Sequence, residues 1–284
     1  AAVIGRLMNH VRMGYYPTDP VNITHILRGI AFPEGVTTNL LDPCCGCGKA
    51  LRQLANGNNC YTYGMELDEH RAEEAQTRLH RVGFGSFFHS RISHEAFHLL
   101  FLNPPYLSVI NENGGRSRHE KRFLIESIPT LMYGGLLIYV IPYYRLTSDI
   151  CRILVDNFDK LSVWRFPDAE FKKFKQVAVM GIRKKRGTEL QDTLWLEQYA
   201  YAPASIPLLS QLPESRYALP AQPLEVSTFK GERFNQKELE QQLRRSDSFA
   251  QMMARSELDS GVKRPLLPLS ISQIGLIGGS GLIN

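Results

Sequence analysis

Short apolar runs alternate with helical patterns along residues 36–142. The apolar runs predict strands at residues 38–41, 61–66, 99–102 and 136–141, with a weaker strand at 86–89. The intervening patterns predict helices at residues 49–56, 68–82 and 118–132. Strands that alternate with helices in this way are typical of strand-helix-strand units, so the sequence predicts a mostly parallel sheet.

Two further strands are predicted at residues 161–167 and 176–184, on either side of the polar segment "DAEFKKFK". These strands would form an antiparallel hairpin that closes the parallel sheet. After residue 185 the pattern weakens, and only residues 235–245 have a clear helical pattern. We therefore predict a main domain over residues 1–187 and a C-terminal extension over residues 188–284.

The composition indicates a folded protein with a large core, because 43% of the 284 residues are hydrophobic. The chain contains no run of 18 or more apolar residues, and its start lacks the pattern of a signal peptide. We therefore expect a soluble cytoplasmic protein without a membrane partner. Five cysteines are an odd number without the spacing of a disulfide framework, which favours reduced thiols inside a cell.

Positive charge is concentrated in the predicted main domain. Residues 1–187 contain 24 Lys and Arg against 17 Asp and Glu, a net charge of +7. Residues 188–284 contain 9 against 11, a net charge of −2. A basic domain suits a polyanion such as nucleic acid, although a charge of this size is also common on proteins without such a partner. The basic residues that follow position 115 either contact phosphates or form a solvated helix face: Arg116, Arg118, Lys121 and Arg122.

A tight turn of small residues, "DPCCGCG" at residues 42–48, follows the first predicted strand and precedes a helix. Gly46 and Gly48 allow the backbone to approach a ligand and to present amides at the start of the helix. Glu66 ends the next strand, where a carboxylate can accept hydrogen bonds from both hydroxyls of a ribose. No third glycine completes the dinucleotide fingerprint, which favours an adenosine ligand without a pyrophosphate.

The strand at residues 99–102 runs into "NPPY" at residues 103–106. Pro104 and Pro105 lack N–H donors and restrict the chain, so acceptors here are held rigidly. The Asn103 amide oxygen and a backbone carbonyl can bind the two hydrogens of a planar amine. Tyr106 can stack on the ring that carries the amine, which contributes about 1 to 3 kcal/mol. Ligands collect at this edge of a parallel sheet, so these groups would lie beside the nucleoside pocket.

The two motifs together resemble those of the class I S-adenosylmethionine-dependent methyltransferases that methylate amino groups. The resemblance implies S-adenosylmethionine as the cofactor. It also implies a Rossmann-like α/β fold with a mostly parallel seven-stranded sheet, an antiparallel C-terminal hairpin and a smaller C-terminal extension. The segments "YYPTD" at residues 15–19 and "EKRFLIESIPTLMYGGLLIYVIP" at residues 120–142 are similar to further parts of that class.

Site residues are carried over from this class by position. The implied catalytic residues are Asn103, Pro104, Pro105 and Tyr106. The implied cofactor-binding residues are Tyr16, Pro17, Thr18, Asp42, Pro43, Cys44, Gly46, Gly48, Glu66, Leu67, Ser90 and Asn103. The class also has an acidic residue near the cofactor's adenine amine, for which Ser90 or His89 would have to substitute here. We predict no metal, because Cys44, Cys45 and Cys47 lack a second Cys or His cluster.

The resemblance implies methylation of the exocyclic amine of adenine in nucleic acid, by a site-specific enzyme that acts on DNA rather than RNA. The C-terminal extension would then serve target recognition or an accessory role. The NPPY motif also suits RNA adenine or guanine and a protein glutamine amide, and an inactive module that binds cofactor and nucleic acid is a further alternative. The segments "RHEKRFL", "YVIP" and "RPLLPL" are similar to a bacterial DUF6094-like family.

Overall fold

The computed structural model describes residues 17–105, 108–110, 116–167, 175–187 and 192–232, with the backbone alone at 108–110 and 116–118. Its contacts divide the chain into two compact units, Ala1–Arg233 and Phe234–Asn284. All of the described residues belong to the first unit. Within them, no helix is both long enough and apolar enough to cross a membrane.

Helices and strands alternate along most of the first unit. The helices are α1 (Pro20–Arg28), α2 (Lys49–Ala55), α3 (Glu69–Gln76), α4 (His119–Ser127), α5 (Ser148–Asn157) and α6 (Leu194–Glu197). The strands of the first half are β1 (Ile30–Ala31), β2 (Thr38–Asp42), β3 (Cys60–Glu66), β4 (Arg81–Phe84), β5 (Arg91–Ile92) and β6 (Phe97–Leu102). The remaining strands are β7 (Ser108–Ile110), β8 (Arg116–Arg118), β9 (Leu131–Pro142), β10 (Phe158–Arg165), β11 (Gln176–Arg183), β12 (Tyr217–Ala218) and β13 (Phe229–Lys230).

A seven-stranded sheet in the order β10-β11-β9-β6-β2-β3-β4 forms the centre of the unit. The five strands from β9 to β4 are parallel to their neighbours, whereas β11 is antiparallel to both β9 and β10. The predicted mostly parallel sheet with a C-terminal hairpin is therefore confirmed. Its central strands β2 and β6 are buried along their whole length. Leu40 and Leu99 pack into one core layer, and Leu41 and Leu100 pack into the other.

The structure corrects the prediction for residues 68–89. The predicted helix at 68–82 ends at Gln76, and β4 begins at Arg81 and pairs with β3. The strand predicted at 86–89 is wrong, because Phe87–His89 forms a 3₁₀ helix, in which the Phe88 N–H donates to the Ser86 hydroxyl. The predicted helix start at Asp68 is confirmed, since its carboxylate accepts from the Arg71 amide.

The described residues 192–232 pack on the sheet instead of forming a separate body. β12 pairs with β1, and β13 pairs with β5. Between these strands, the Gln222 and Leu224 carbonyls accept hydrogen bonds from the buried side chains of His98 and Asn39. The compact units divide after Arg233. The domain division near residue 187 stays a prediction. The helix predicted at 235–245 lies outside the described residues.

Candidate active site

Three neighbouring strands deliver polar groups to one edge of the sheet. In sheet order, β6 leads into Asn103, β2 ends at Asp42 and β3 ends at Glu66. Because these strands are parallel, their carboxyl ends meet at the same edge, where ligands of open α/β sheets bind. The predicted motifs at 42–48, 66 and 103–104 are therefore brought together by the topology.

A cavity of about 580 Å³ opens at this edge. Its walls come from the segment before α1, the loop between β2 and α2, the start of α2 and the end of β6. The lining residues are Pro17, Thr18, Asp19, Pro20, Asp42, Cys44, Cys45, Cys47, Lys49, Ala50, Gln53, Phe101 and Asn103. Its size falls within the range of small-molecule sites, about 300 to 1,000 Å³.

Asp42 is a buried carboxylate in the wall of this cavity. Only 2% of the residue is exposed, and its Oδ1 accepts a hydrogen bond of 3.0 Å from the Cys44 amide. Burial, with a smaller contribution from the charge of Glu66, raises the pKa of Asp42 to about 7. A carboxylate in this state favours a cationic ligand, because a nearby positive charge offsets the cost of its ionised form.

The loop after Asp42 is shaped by glycines and a close packing contact. Gly46 and Gly48 have φ values of 55° and 78°, which are costly for other residues. A side chain has no room at Gly64 on β3, because a Cβ at this position would lie 2.5 Å from Cys45 Sγ. The Gly46 amide donates to Glu66 Oε2 at 2.9 Å. The end of β3 thus fixes the loop that follows β2.

Glu66 is held from several directions and is 5% exposed. Its Oε1 accepts from the Asp68 amide at 2.8 Å and from Arg71 Nη2 and Nε at 2.8 and 3.2 Å. Glu66 does not line the cavity beside Asp42, so it lies farther along the same edge. Sequence reasoning missed Arg71. The only sign of this contact in the sequence is an arginine in the first turn of the helix that follows a strand ending in Glu.

Asn103 is tied to the opposite walls of the cavity. Its side-chain Nδ2 donates to Thr18 Oγ1 at 3.1 Å, and its backbone carbonyl accepts from the Cys44 thiol at 3.2 Å. Thr18 is 7% exposed, so this contact is shielded from water. The amide bonds to Thr18 through Nδ2. Its other branch is the oxygen Oδ1, which is a hydrogen-bond acceptor. Pro104 is buried and Pro105 is partly buried.

Two predicted site residues, Tyr16 and Tyr106, lie outside the described residues. Ser90 lies near the end of β4, but its hydroxyl donates to the Phe87 carbonyl at 2.6 Å. The neighbouring His89 is paired through Nδ1 with Glu232 at 3.1 Å. Leu67 is 55% exposed directly after Glu66. Ser90 and Leu67 thus lie on the β3–β4 side of the edge and do not line the cavity beside Asp42.

Cys44 and Cys45 in the loop are neutral thiols. Burial, together with the charges of Asp42 and Glu66, raises the pKa of Cys44 and of Cys45 well above the ordinary value. A protonated thiol is a poor nucleophile and a poor metal ligand. In the part of the chain that the structure describes, no three His, Cys, Asp or Glu side chains are grouped as a metal site.

Two of the basic side chains that could contact phosphates are paired within the protein. Lys121 Nζ lies 2.9 Å from Asp149, and Arg122 pairs with Glu126 at 2.7 Å and stacks on Phe88. The side chains of Arg116 and Arg118 are not described.

The strand order and the position of the site define the Rossmann-like fold of the class I methyltransferases. The chain belongs to the uncharacterised methyltransferase family DUF6094, whose match covers residues 1–222. The comparison with curated proteins gave no significant match. The class of protein is thus established, whereas the family name specifies no substrate.

Solved structures include proteins with a similar fold. A Listeria monocytogenes protein assigned to the class I S-adenosylmethionine-dependent methyltransferases has 14% identity and a TM-score of 0.50, over 70% of this chain and 67% of that chain. The tRNA (m1A58) methyltransferase TrmI from Aquifex aeolicus has 18% identity and a TM-score of 0.42, over 60% and 70%. An RNA methyltransferase from Salinibacter ruber in complex with S-adenosyl-L-homocysteine has 14% identity and a TM-score of 0.39, over 63% and 100%.

The residues at this edge fit S-adenosylmethionine, the cofactor of this fold class. The buried carboxylate of Asp42 suits the positive charge of the cofactor, and Lys49 in the cavity wall suits its carboxylate. Glu66 offers carboxylate oxygens for a ribose. The exposed side chain of Leu67 offers an apolar surface for a base. The donor set thus matches the parts of the cofactor in both charge and polarity.

Proposed function

We propose that this protein transfers a methyl group from S-adenosylmethionine to the exocyclic amine of adenine in nucleic acid, with DNA as the substrate. The observation that carries the proposal is the placement of the Asn103 amide in the same cavity as Asp42, with Nδ2 bonded to Thr18. An amide held in this way presents an acceptor to an amine without a further loss of side-chain entropy.

The cofactor supplies an activated methyl group on a sulfonium. Asn103 Oδ1 and the Pro104 carbonyl would accept the two hydrogens of the target amine and so orient its nitrogen for methyl transfer. S-Adenosylmethionine, held by Asp42, Lys49 and Glu66, would supply the methyl group and leave as S-adenosylhomocysteine, and the amine nitrogen would lose a proton to solvent. Positioning of this kind can contribute about 7 to 11 kcal/mol to the lowering of the barrier. Asn103 also stabilises the positive charge that develops on the nitrogen.

Charge and motif support nucleic acid as the substrate, and DNA is the nucleic acid that we propose. The net charge of +7 over residues 1–187 favours a polyanion. The planar amine that suits "NPPY" would have to be flipped out of a duplex, at a cost of a few kcal/mol that phosphate contacts offset. Tyr106 is the residue that we propose stacks on the flipped base.

Transfer of labelled methyl groups to different nucleic acids tests the proposal. Unmethylated duplex DNA, single-stranded DNA and total RNA are each incubated with the protein and labelled S-adenosylmethionine, and their nucleosides are then separated. We expect labelled N6-methyldeoxyadenosine from the DNA. Label in RNA alone would indicate that RNA is the substrate instead of DNA. No label in any pool would refute the proposed reaction on nucleic acid.

Asn103→Ala and a matched control assign the reaction to this site. Asn103→Ala removes the amide and should abolish transfer while leaving the affinity for S-adenosylhomocysteine near that of the wild type. Asn56→Ala, at an exposed position after α2, should leave both unchanged. Normal turnover by Asn103→Ala would remove this residue from the mechanism.

A further inference from the structure

The fourth strand end along the active-site edge differs from the other three. In sheet order, β6 is followed by Asn103, β2 ends in Asp42 and β3 ends in Glu66. The next strand is β4. The last residue of β4, Phe84, pairs with Glu66, so the loop at residues 85–90 lies directly beyond that carboxylate. This loop contains no acidic residue of its own.

A carboxylate nevertheless reaches this loop from a distant part of the sequence. After β13 pairs with β5, Gly231 passes so close to β4 that a Cβ on it would lie 2.4 Å from the Phe84 carbonyl oxygen. Glu232 follows, with Oε2 accepting from the Ser86 amide at 3.3 Å and Oε1 lying 3.1 Å from His89 Nδ1. The Glu232 side chain is 42% exposed, so a ligand can contact it.

We propose that Glu232 determines the specificity of the cofactor site by accepting a hydrogen bond from the adenine amine of S-adenosylmethionine. This inference rests on the proposed function, because it requires that cofactor to bind along this edge. With the methionine end beside Asp42 and the ribose at Glu66, the base continues in the same direction along the edge, toward β4. Leu67, exposed beside Glu66, provides an apolar surface for the ring.

The chemistry of a carboxylate gives this role a measurable consequence. A carboxylate only accepts hydrogen bonds, so it binds the amine of adenine and is repelled by the carbonyl oxygen that hypoxanthine has at the same position. A site built around such a group rejects an analogue that leaves the group unpaired. Glu232 therefore separates an adenosyl ligand from an inosyl ligand.

A purely structural role for Glu232 predicts a different result. A contact between partly exposed side chains such as His89 and Glu232 contributes little to stability. Its loss would either leave ligand binding unchanged or weaken adenosyl and inosyl ligands to the same extent. The ratio of the two affinities therefore distinguishes recognition of the base from support of the loop.

Binding of S-adenosylhomocysteine and S-inosylhomocysteine to the full chain tests the proposal. Calorimetric titrations compare the wild type with Glu232→Gln and with Glu225→Gln, a control at an exposed glutamate of the same segment. We expect the wild type and the control to prefer the adenosyl ligand by about tenfold or more. Glu232→Gln should reduce this preference to about threefold or less, because a glutamine amide can also donate to the inosine carbonyl.

Each outcome decides between the two proposals. An unchanged ratio in Glu232→Gln, or equal weakening of both ligands, overturns the role of Glu232 and leaves the proposed function intact. A wild-type protein that binds neither ligand overturns the proposed function together with this inference.

Discussion

Asp42→Asn should stabilise the ligand-free protein while it weakens cofactor binding. The substitution keeps the shape of the side chain and the Oδ1 acceptor for the Cys44 amide, so it removes little except the charge. The buried carboxylate is placed for a cationic ligand, and without one its ionised form is unfavourable. The variant therefore separates the requirements of folding from those of binding.

The magnitude follows from the pKa of Asp42. Burial raises this pKa from 3.8 to about 7 in the folded chain. Each unit corresponds to about 1.4 kcal/mol, so the ionised side chain costs the fold about 4 kcal/mol above pH 7. Because the folded state binds more protons than the unfolded state in this window, the stability of the wild type falls as the pH rises from about 4 to about 7. An asparagine side chain does not ionise, so Asp42→Asn removes that slope.

Urea unfolding at pH 5 and pH 8 measures this difference. We expect Asp42→Asn to exceed the wild type in free energy of unfolding by about 2 to 4 kcal/mol at pH 8, and by less at pH 5. In the same variant, the dissociation constant of S-adenosylmethionine should rise by at least about tenfold, which corresponds to loss of a charged hydrogen-bond partner. A variant that is no more stable than the wild type at pH 8 would refute the reasoning about the buried charge.

Three other substitutions probe the contacts that organise the site and the C-terminal segment. Thr18→Val removes the acceptor for Asn103 Nδ2 and should lower kcat by about tenfold, whereas Thr18→Ser should keep most of the activity; equal kcat values for the two variants would contradict this role. Arg71→Gln should weaken binding of S-adenosylhomocysteine by about tenfold, because Glu66 loses a charged partner, and Arg71→Lys should recover part of the affinity. A calorimetric affinity that is unchanged in Arg71→Gln would exclude this role of Arg71. Burial lowers the pKa of His98 below 6.5, so its contribution to stability is complete above that pH and is lost as the pH falls further. His98→Leu should cost about 2 kcal/mol or more at pH 7.5 and lose that pH dependence, as urea unfolding at pH 7.5 and 5 can measure.

The sheet and the main site motifs could be predicted because each depends on local sequence. The strands contain short runs of apolar residues, and the site residues Asp42, Glu66 and Asn103 stand at or just after the strand ends. A parallel sheet brings such ends to one edge, so their spacing in the sequence is enough to group them. Thr18 joined this group only through its resemblance to a known motif.

The contacts that were missed depend on the path of the chain. Arg71 reaches Glu66 because α3 starts close to the end of β3, and no periodicity reveals this. Glu232 reaches the loop after β4 because the chain passes from contacts with His98 and Asn39, near the amino ends of β6 and β2, to β5 and then to Phe84. Buried polar contacts such as that of His98 with Gln222 fix this path, and they are absent from a pattern of apolar positions.

The most direct test of the central claim is the amount of N6-methyldeoxyadenosine that forms in an unmethylated duplex after incubation with the protein and S-adenosylmethionine. Mass spectrometry of the digested DNA quantifies it for the wild type and for Asn103→Ala. The account predicts the modified nucleoside with the wild type and none with Asn103→Ala, although both bind S-adenosylhomocysteine. Equal amounts with both proteins, or none with a wild type that binds the cofactor, would contradict it.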